Sequence, residues 1–147
     1  LEALVALELR WQDLEAAALT RRVQVDTAAA WAAVVARAGS AAALQARLDA
    51  VGLPEETLRE LVRRAAVVEA YVASRFGPFA RLSPREVEDV WTGELAPALV
   101  AQGKPVPELA AVRAEVEALV RERKLDAEVR RWTAELEARG SVVRYSR

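Results

Sequence analysis

Histidine, cysteine and methionine are absent from all 147 residues of the chain. Without a thiol or an imidazole there is no cysteine nucleophile, no histidine base, no ordinary zinc site and no axial ligand for haem. A di-iron centre in a helical bundle is excluded as well, because its Glu-x-x-His motifs need histidine. Lack of cysteine fits a reducing cytosol and a periplasm equally well, so it leaves the compartment open. Carboxylates, Arg, Lys and hydroxyl groups remain, and we expect no metal and no cofactor.

A charge excess of one sign is also lacking, since 21 basic residues nearly balance 22 acidic ones. Such a chain has no overall field that attracts nucleic acid or an anionic membrane, so no nucleic-acid partner is expected. No apolar run approaches the roughly 20 residues that span a bilayer, which predicts a soluble chain. The sequence has no initiator methionine, and we therefore expect natural sequence before Leu1, with a signal peptide removed upstream.

Aromatic residues make up only 5% of the chain, whereas 53% is hydrophobic, with Ala, Leu and Val interleaved with Glu and Arg. That composition is typical of a helical bundle. The clearest helix signal lies between Gly52 and Phe79, where Pro54 suits the first helical position and Gly77-Pro78 is a stop signal. Apolar residues recur there at helical spacing, at Leu58, Leu61, Ala65, Val68, Val72 and Phe76.

Three shorter helices are predicted before this central one. The first runs from Leu1 to about Thr20, with apolar residues at helical spacing. Asp26 and Ser40 are good N-caps for the second and third helices, and Gly52 suits the left-handed position that ends the third.

The second half of the chain predicts further helices. Residues 83–86, Ser-Pro-Arg-Glu, form a capping box at a helix start. Pro97 should kink or end that helix, and residues 102–107 are predicted to be a linker. Helical periodicity resumes at Glu108, but the apolar face changes side near 124–126. Either the helix breaks there, or one long helix contacts different bodies through its two halves.

Residues 141–146, SVVRYS, alternate weakly in polarity and predict a short terminal strand. The chain is therefore predicted to be all-α, a single domain over residues 1–147 with a short C-terminal β-strand. Because no second strand is predicted in the chain, Val142, Val143 and Tyr145 offer an edge through which a homodimer could form.

Candidate site residues are few. Acidic clusters such as Glu86 with Asp89 lie on polar helix faces, where acids are ordinary, so we do not expect them to be catalytic. Phe76, Phe79 and Trp91 lie on either side of Gly77-Pro78, where the central helix is predicted to end. Core packing accounts for most aromatic residues, but an incompletely covered apolar patch here would recognise an extended peptide.

The order of these elements resembles the N-terminal chaperone domain of SurA-like periplasmic proteins and, more distantly, the peptide-binding helices of trigger factor. Four features carry the likeness, at Val23–Asp26, Leu48–Leu53, Arg63-Arg64 and Ser83–Val87. They are the connector after the first helix, the short helix that closes on a Gly-Leu pair, the paired basic residues of the long helix, and the capped helix that follows. The likeness covers roughly residues 1–91, and more loosely the last helix with Trp132.

The resemblance implies a multi-helix SurA-N-like domain that holds unfolded outer-membrane or secreted polypeptides in the periplasm, without nucleotide or metal. Relatives often insert a parvulin-type prolyl isomerase before the last helix. Only residues 102–107 occupy that place here, so we expect no enzyme activity. For such a function the predicted client-binding residues are Trp31, Val35, Tyr71, Phe76, Phe79 and Trp91. The competing interpretation is a non-catalytic helical adaptor or structural module that binds one folded partner.

Overall fold

The computed structural model describes residues 2–140, of which 81% are helical and none lies in a strand. The prediction of an all-helical chain is therefore confirmed. The terminal strand predicted over 141–146, and with it the dimer edge, falls outside the described residues. Within residues 2–140 there are two compact units, one formed by 2–74 with 133–140 and the other by 75–132. The prediction of a single domain stays a prediction.

No individual helix among residues 2–140 combines the length and the apolar character needed to cross a membrane, and only one bent helix pair, Thr27–Ala38 with Ala41–Val51, reaches that threshold by length and composition.

The first unit contains three short helices and most of a long one. They are α1 (Glu2–Ala16), α2 (Thr27–Ala38), α3 (Ala41–Val51) and α4 (Glu55–Phe76, as far as residue 74). Buried Ala38, Leu44 and Leu48 form the core cluster of α2 and α3, and α4 contributes the half-buried Leu58 to it. In α4, Val67 and Val68 are buried.

The caps predicted for these helices are confirmed. The Asp26 carboxylate accepts a hydrogen bond from the N–H of Ala29 at 2.9 Å, and the Ser40 hydroxyl accepts one from the N–H of Ala43 at 3.1 Å. Gly52 has a φ of 65°, the left-handed conformation that glycine adopts without a steric cost. Helix α4 begins at Glu55, one residue after the predicted start at Pro54. It ends at Phe76, as the stop signal at Gly77-Pro78 predicted, and a 3-10 turn follows at Gly77–Phe79.

Helix α1 ends at Ala16, four residues before the predicted end at Thr20. Ala18 takes a φ of 53°, and the N–H of Leu19 donates to the carbonyl of Leu14 at 2.8 Å, which closes the helix. Glycine usually occupies such a left-handed position. Because an alanine stands there instead, the local sequence carries no stop signal.

The second unit contains α5 (Pro84–Val90), a π turn (Trp91–Leu95), α6 (Ala96–Ala101) and the part of α7 (Leu109–Arg139) up to Trp132. Val87, Trp91, Val116 and Val120 form a buried core cluster of this unit. Residues 102–108 connect α6 to α7 without regular helix.

Pro97 does not end the helical run, which corrects one of the two outcomes expected from the sequence. The chain remains helical through Pro97 to Ala101 because a π turn precedes the proline. There the N–H of Ala96 donates to the carbonyl of Trp91, five residues back. Since proline has no N–H and its ring crowds a carbonyl of the preceding turn, a widened turn lets the helix continue.

Helix α7 is one helix of 31 residues without a break at 124–126. This decides between the two alternatives that the sequence left open. In its first half Val116 and Val120 are buried in the core of the second unit, and in its last turns Leu136 is buried in the first unit.

Candidate functional site

The candidate site is an apolar groove in the second unit, which we call the Trp91 groove. Its walls are the π turn and α6 on one side and the first half of α7 on the other. It is lined by Trp91, Leu95, Ala98, Leu99, Gln102, Val112, Glu115, Val116 and Leu119. Its volume is about 320 Å³, and its exposed wall is almost entirely apolar. That volume lies at the lower end of the range for ligand sites, roughly 300 to 1,000 Å³.

The floor of the Trp91 groove belongs to the core, whereas its walls do not. Trp91 and Val116 are buried in the core cluster of the unit. Leu95, Leu99 and Val112 are only half-buried and pack against that cluster. An apolar segment that binds in the groove can therefore bury the exposed side of these wall residues.

The local sequence explains why the groove exists. The capping box fixes the start of α5, because the Ser83 N–H donates to Glu86 at 2.7 Å and the Glu86 N–H donates to the Ser83 hydroxyl at 3.3 Å. After α5 the π turn brings Leu95 and Leu99 against the same cluster as Val112. Helix α6 has six residues, so it covers only a short length of α7.

Ion pairs hold α7 against α5 and the π turn on one flank of this site. Arg113 lies 3.9 Å from both Glu88 and Glu117, and Arg123 donates to Glu94 at 2.6 Å. These pairs are exposed, so each contributes little to stability and serves mainly to position the helices.

Glu86 belongs to the same flank. Hydrogen bonds from Lys124 and from the backbone and side chain of Ser83 lower the pKa of Glu86 to about 2. Lys124 also donates to the carbonyl of Arg81 at 2.8 Å. The Glu86 carboxylate is therefore ionised at neutral pH and engaged in holding the helix start.

A second pocket, of about 330 Å³, lies in the first unit between the start of α2 and the first half of α4. Trp31 lines it, and the guanidinium of Arg59 stacks over the Trp31 ring at 4.0 Å while donating to Glu55 at 2.7 Å. Glu56, Glu60 and Arg63 lie along the same wall. Its lining mixes both charges, so it offers much less apolar surface than the Trp91 groove.

The charges of the second pocket are tied into a network. Arg63 and Arg64 both donate to the Glu60 carboxylate, at 2.7 and 2.9 Å, which lowers the pKa of Glu60 to about 2. Arg64 also donates to Glu8 at 3.0 Å, and both guanidinium groups lie near the ring of Trp11. The paired arginines that the sequence singled out therefore anchor α1 to α4.

Neither acid with a displaced pKa has the properties of a general acid, because a pKa near 2 keeps both groups charged at neutral pH. Within residues 2–140 no group of three or more acidic side chains is arranged to hold a metal ion.

The six predicted client-binding residues occupy different environments. Trp31 and Val35 are half-buried against the same core cluster in the first unit, where Tyr71 is also half-buried. In the second unit Phe76 and Trp91 are buried and Phe79 is exposed.

The three aromatic residues on either side of Gly77-Pro78 thus have distinct roles in the second unit. Phe76 packs against the ring of Trp132 with centroids 5.7 Å apart. Trp91 forms the floor of the Trp91 groove. Phe79, with 72% of its surface exposed, belongs to the surface.

Of the residues that line the groove, the sequence predicted only Trp91 to bind a client. It missed Leu95, Ala98, Leu99, Gln102, Val112, Glu115, Val116 and Leu119. The signal was Leu95 and Leu99, four residues apart on either side of Pro97. Had the helix been assumed to continue through the proline, this spacing would have placed them on one face.

No family model, curated protein or solved structure matches this chain.

Proposed function

We propose that this chain is an ATP-independent holdase that binds unfolded outer-membrane or secreted polypeptides in the periplasm. The proposal includes a SurA-like N-terminal fold with a short terminal strand over residues 141–146. It also assigns the chain no catalytic activity of its own. The observation that carries the proposal is the Trp91 groove, an almost wholly apolar surface between α6 and α7 with room for the side chains of a short segment.

Exposed apolar residues near this part of the chain support the proposal. Three large hydrophobic side chains of the second unit are exposed, namely Phe79, Val100 and Val106. Single exposed apolar residues are ordinary, but several in one unit that also carries an open groove favour a surface for extended, apolar polypeptides.

The energetics of such a groove suit transient binding. Each apolar side chain that a client buries fully contributes roughly 1.5 to 3 kcal/mol. The loss of freedom on association and the ordering of the client oppose this gain by an amount of similar size. A groove that takes only a few side chains therefore gives weak, reversible binding, which a holdase needs in order to release its client.

The test is a light-scattering assay of an unfolded porin-like client with a several-fold molar excess of the chain. The informative variant is Ala98→Gln, which places a polar amide on the exposed wall of the groove. Covering that amide without a hydrogen-bond partner costs about 1 to 3 kcal/mol, so client binding should weaken about 5- to 150-fold. The matched control is Ala114→Gln, an exposed alanine of α7 that does not line the groove.

We expect the parent chain and Ala114→Gln to suppress aggregation, and Ala98→Gln to suppress it poorly. Equal suppression by both variants would show that clients bind elsewhere. If the chain ignores unfolded clients but binds one folded protein with saturable stoichiometry, it is an adaptor instead. A proline-isomerisation assay should give no acceleration above background, and acceleration would contradict the non-catalytic assignment.

A further inference from the structure

The acidic residues beside the Trp91 groove are distributed unevenly. Glu108, Glu115 and Glu122 are each seven residues apart, and all three are exposed. Seven residues are close to two helical turns, so Glu115 and Glu122 lie on one flank of α7, and Glu108 immediately precedes the first turn of that helix. We call these three carboxylates the acidic flank. Glu115 itself lines the groove. The acidic flank therefore runs alongside the apolar surface.

The two flanks of the site differ in how their charges are compensated. On the opposite flank, Glu88 and Glu117 pair with Arg113 and Glu94 pairs with Arg123. Across residues 2–140, by contrast, none of the three carboxylates of the acidic flank forms an ion pair. Lys104 and Arg121, which lie close to Glu108 and Glu122 in sequence, likewise pair with none of the three.

We infer that the Trp91 groove selects polypeptide segments whose apolar side chains are accompanied by Lys or Arg on one side. This inference rests on the proposed function and names the class of client. A segment that places apolar side chains on Leu99 and Val112 brings its neighbouring residues close to Glu115. Cations at those positions are attracted by carboxylates that form no ion pair within the described residues, whereas acidic residues there are repelled.

The size of the expected preference follows from the exposure of the acidic flank. Charge pairs at a surface are weak one at a time and are screened by salt, with a Debye length of about 8 Å at physiological ionic strength. Two cations that meet the acidic flank should strengthen binding roughly three- to tenfold at low salt. The preference should shrink as salt is added, while the apolar part of the binding remains.

The experiment uses three fluorescent peptides that share one apolar segment and differ only in their flanking pair, Lys-Lys, Ser-Ser or Glu-Glu. Their dissociation constants are measured by fluorescence anisotropy with the full chain, at low and at high salt. We expect the Lys-flanked peptide to bind three- to tenfold more tightly than the Ser-flanked one, and the Glu-flanked peptide to bind most weakly. High salt should bring the three dissociation constants together.

The decisive variant replaces the acidic flank by neutral residues of the same shape, Glu108→Gln with Glu115→Gln and Glu122→Gln. The three peptides should then bind within about twofold of one another. The matched control removes the same charge from three exposed acids of the first unit, Glu2→Gln with Glu69→Gln and Glu135→Gln. That control should keep the preference of the parent chain, and a circular dichroism spectrum verifies that both triple variants are folded.

Failure of this inference can be told apart from failure of the proposed function. If all three peptides bind the parent chain equally, or if the preference persists in the acidic-flank variant, the inference is wrong, but the proposed holdase function is not contradicted. If no peptide binds and no aggregation is suppressed, both are wrong. If the chain sediments as a dimer that dissociates when peptide is added, a second copy occupies the groove, and the inference about clients is overturned.

Discussion

Replacing Phe76 with alanine should destabilise the chain far more than replacing Phe79 with alanine, although the two residues are only three positions apart at the end of α4. Phe76 is 7% exposed and packs against Trp132, so loss of its ring should cost about 3 to 5 kcal/mol. Roughly 0.5 to 1.5 kcal/mol of this belongs to the aromatic pair itself. Phe79 is 72% exposed, and scaling the value for full burial by the covered fraction gives a cost of about 0.4 to 0.8 kcal/mol.

Urea unfolding followed by circular dichroism measures both costs. With a denaturant slope of about 2 kcal/mol per molar, Phe76→Ala should lower the midpoint by roughly 1.5 to 2.5 M and Phe79→Ala by less than about 0.5 M. A domain near the middle of the ordinary range of stability, about 5 to 15 kcal/mol, remains folded after either change. Comparable midpoint shifts for the two variants would refute the assignment of Phe76 to the core and Phe79 to the surface.

The same pair bears on function. Because Phe79→Ala leaves the core intact, its effect in the aggregation assay reports on client contact alone, whereas any effect of Phe76→Ala mixes contact with folding. Of the three aromatic residues on either side of Gly77-Pro78, Phe79 is therefore the one whose contact with a client can be tested directly.

Two further predictions concern the N-cap of α5 and the ion pairs of Glu60 in α4. Ser83→Ala removes the cap of α5 and should cost about 1 kcal/mol in urea unfolding, whereas Ser83→Gly should cost only a few tenths; equal costs would contradict the capping role. The pKa of Glu60 is lowered from 4.5 to about 2 by its arginine partners, so its carboxylate contributes stability above about pH 4.5, and this contribution is lost as the pH falls towards 2. Thermal unfolding should accordingly show the parent chain more stable than Glu60→Gln near neutral pH and the two converging below about pH 2; a constant difference across that range would show that Glu60 does not titrate as described.

Where a local chemical signal existed, the sequence predicted the structure closely. Asp26 and Ser40 cap helices as expected, Gly52 takes its left-handed conformation, and Ser83 with Glu86 forms the capping box. Each of these depends on one or two side chains and the backbone beside them, so a short stretch of sequence contains the necessary information.

Where the outcome depended on tertiary context, local sequence was insufficient. Ala18 takes a conformation that its side chain does not favour, and the helix continues past Pro97 because a wider turn precedes it. Likewise, periodicity indicated that Phe76 and Trp91 are apolar positions but could not indicate that both are buried while Phe79 is exposed. The groove beside Trp91 was not foreseen because it depends on how far α6 extends along α7.

The π turn at residues 91–95 has a consequence for how sequences of this kind can diverge in length. A π turn accommodates one residue more than the α-helix around it would, so it is equivalent to a single-residue insertion absorbed inside a helix. Loss of one residue here would restore the ordinary winding and leave the orientation of α6 unchanged, because the turn only absorbs the extra residue. Pro97 would then stand inside a regularly wound helix, where its ring crowds a carbonyl of the preceding turn. Related chains that are one residue shorter between residues 91 and 95 should therefore carry another residue in place of this proline.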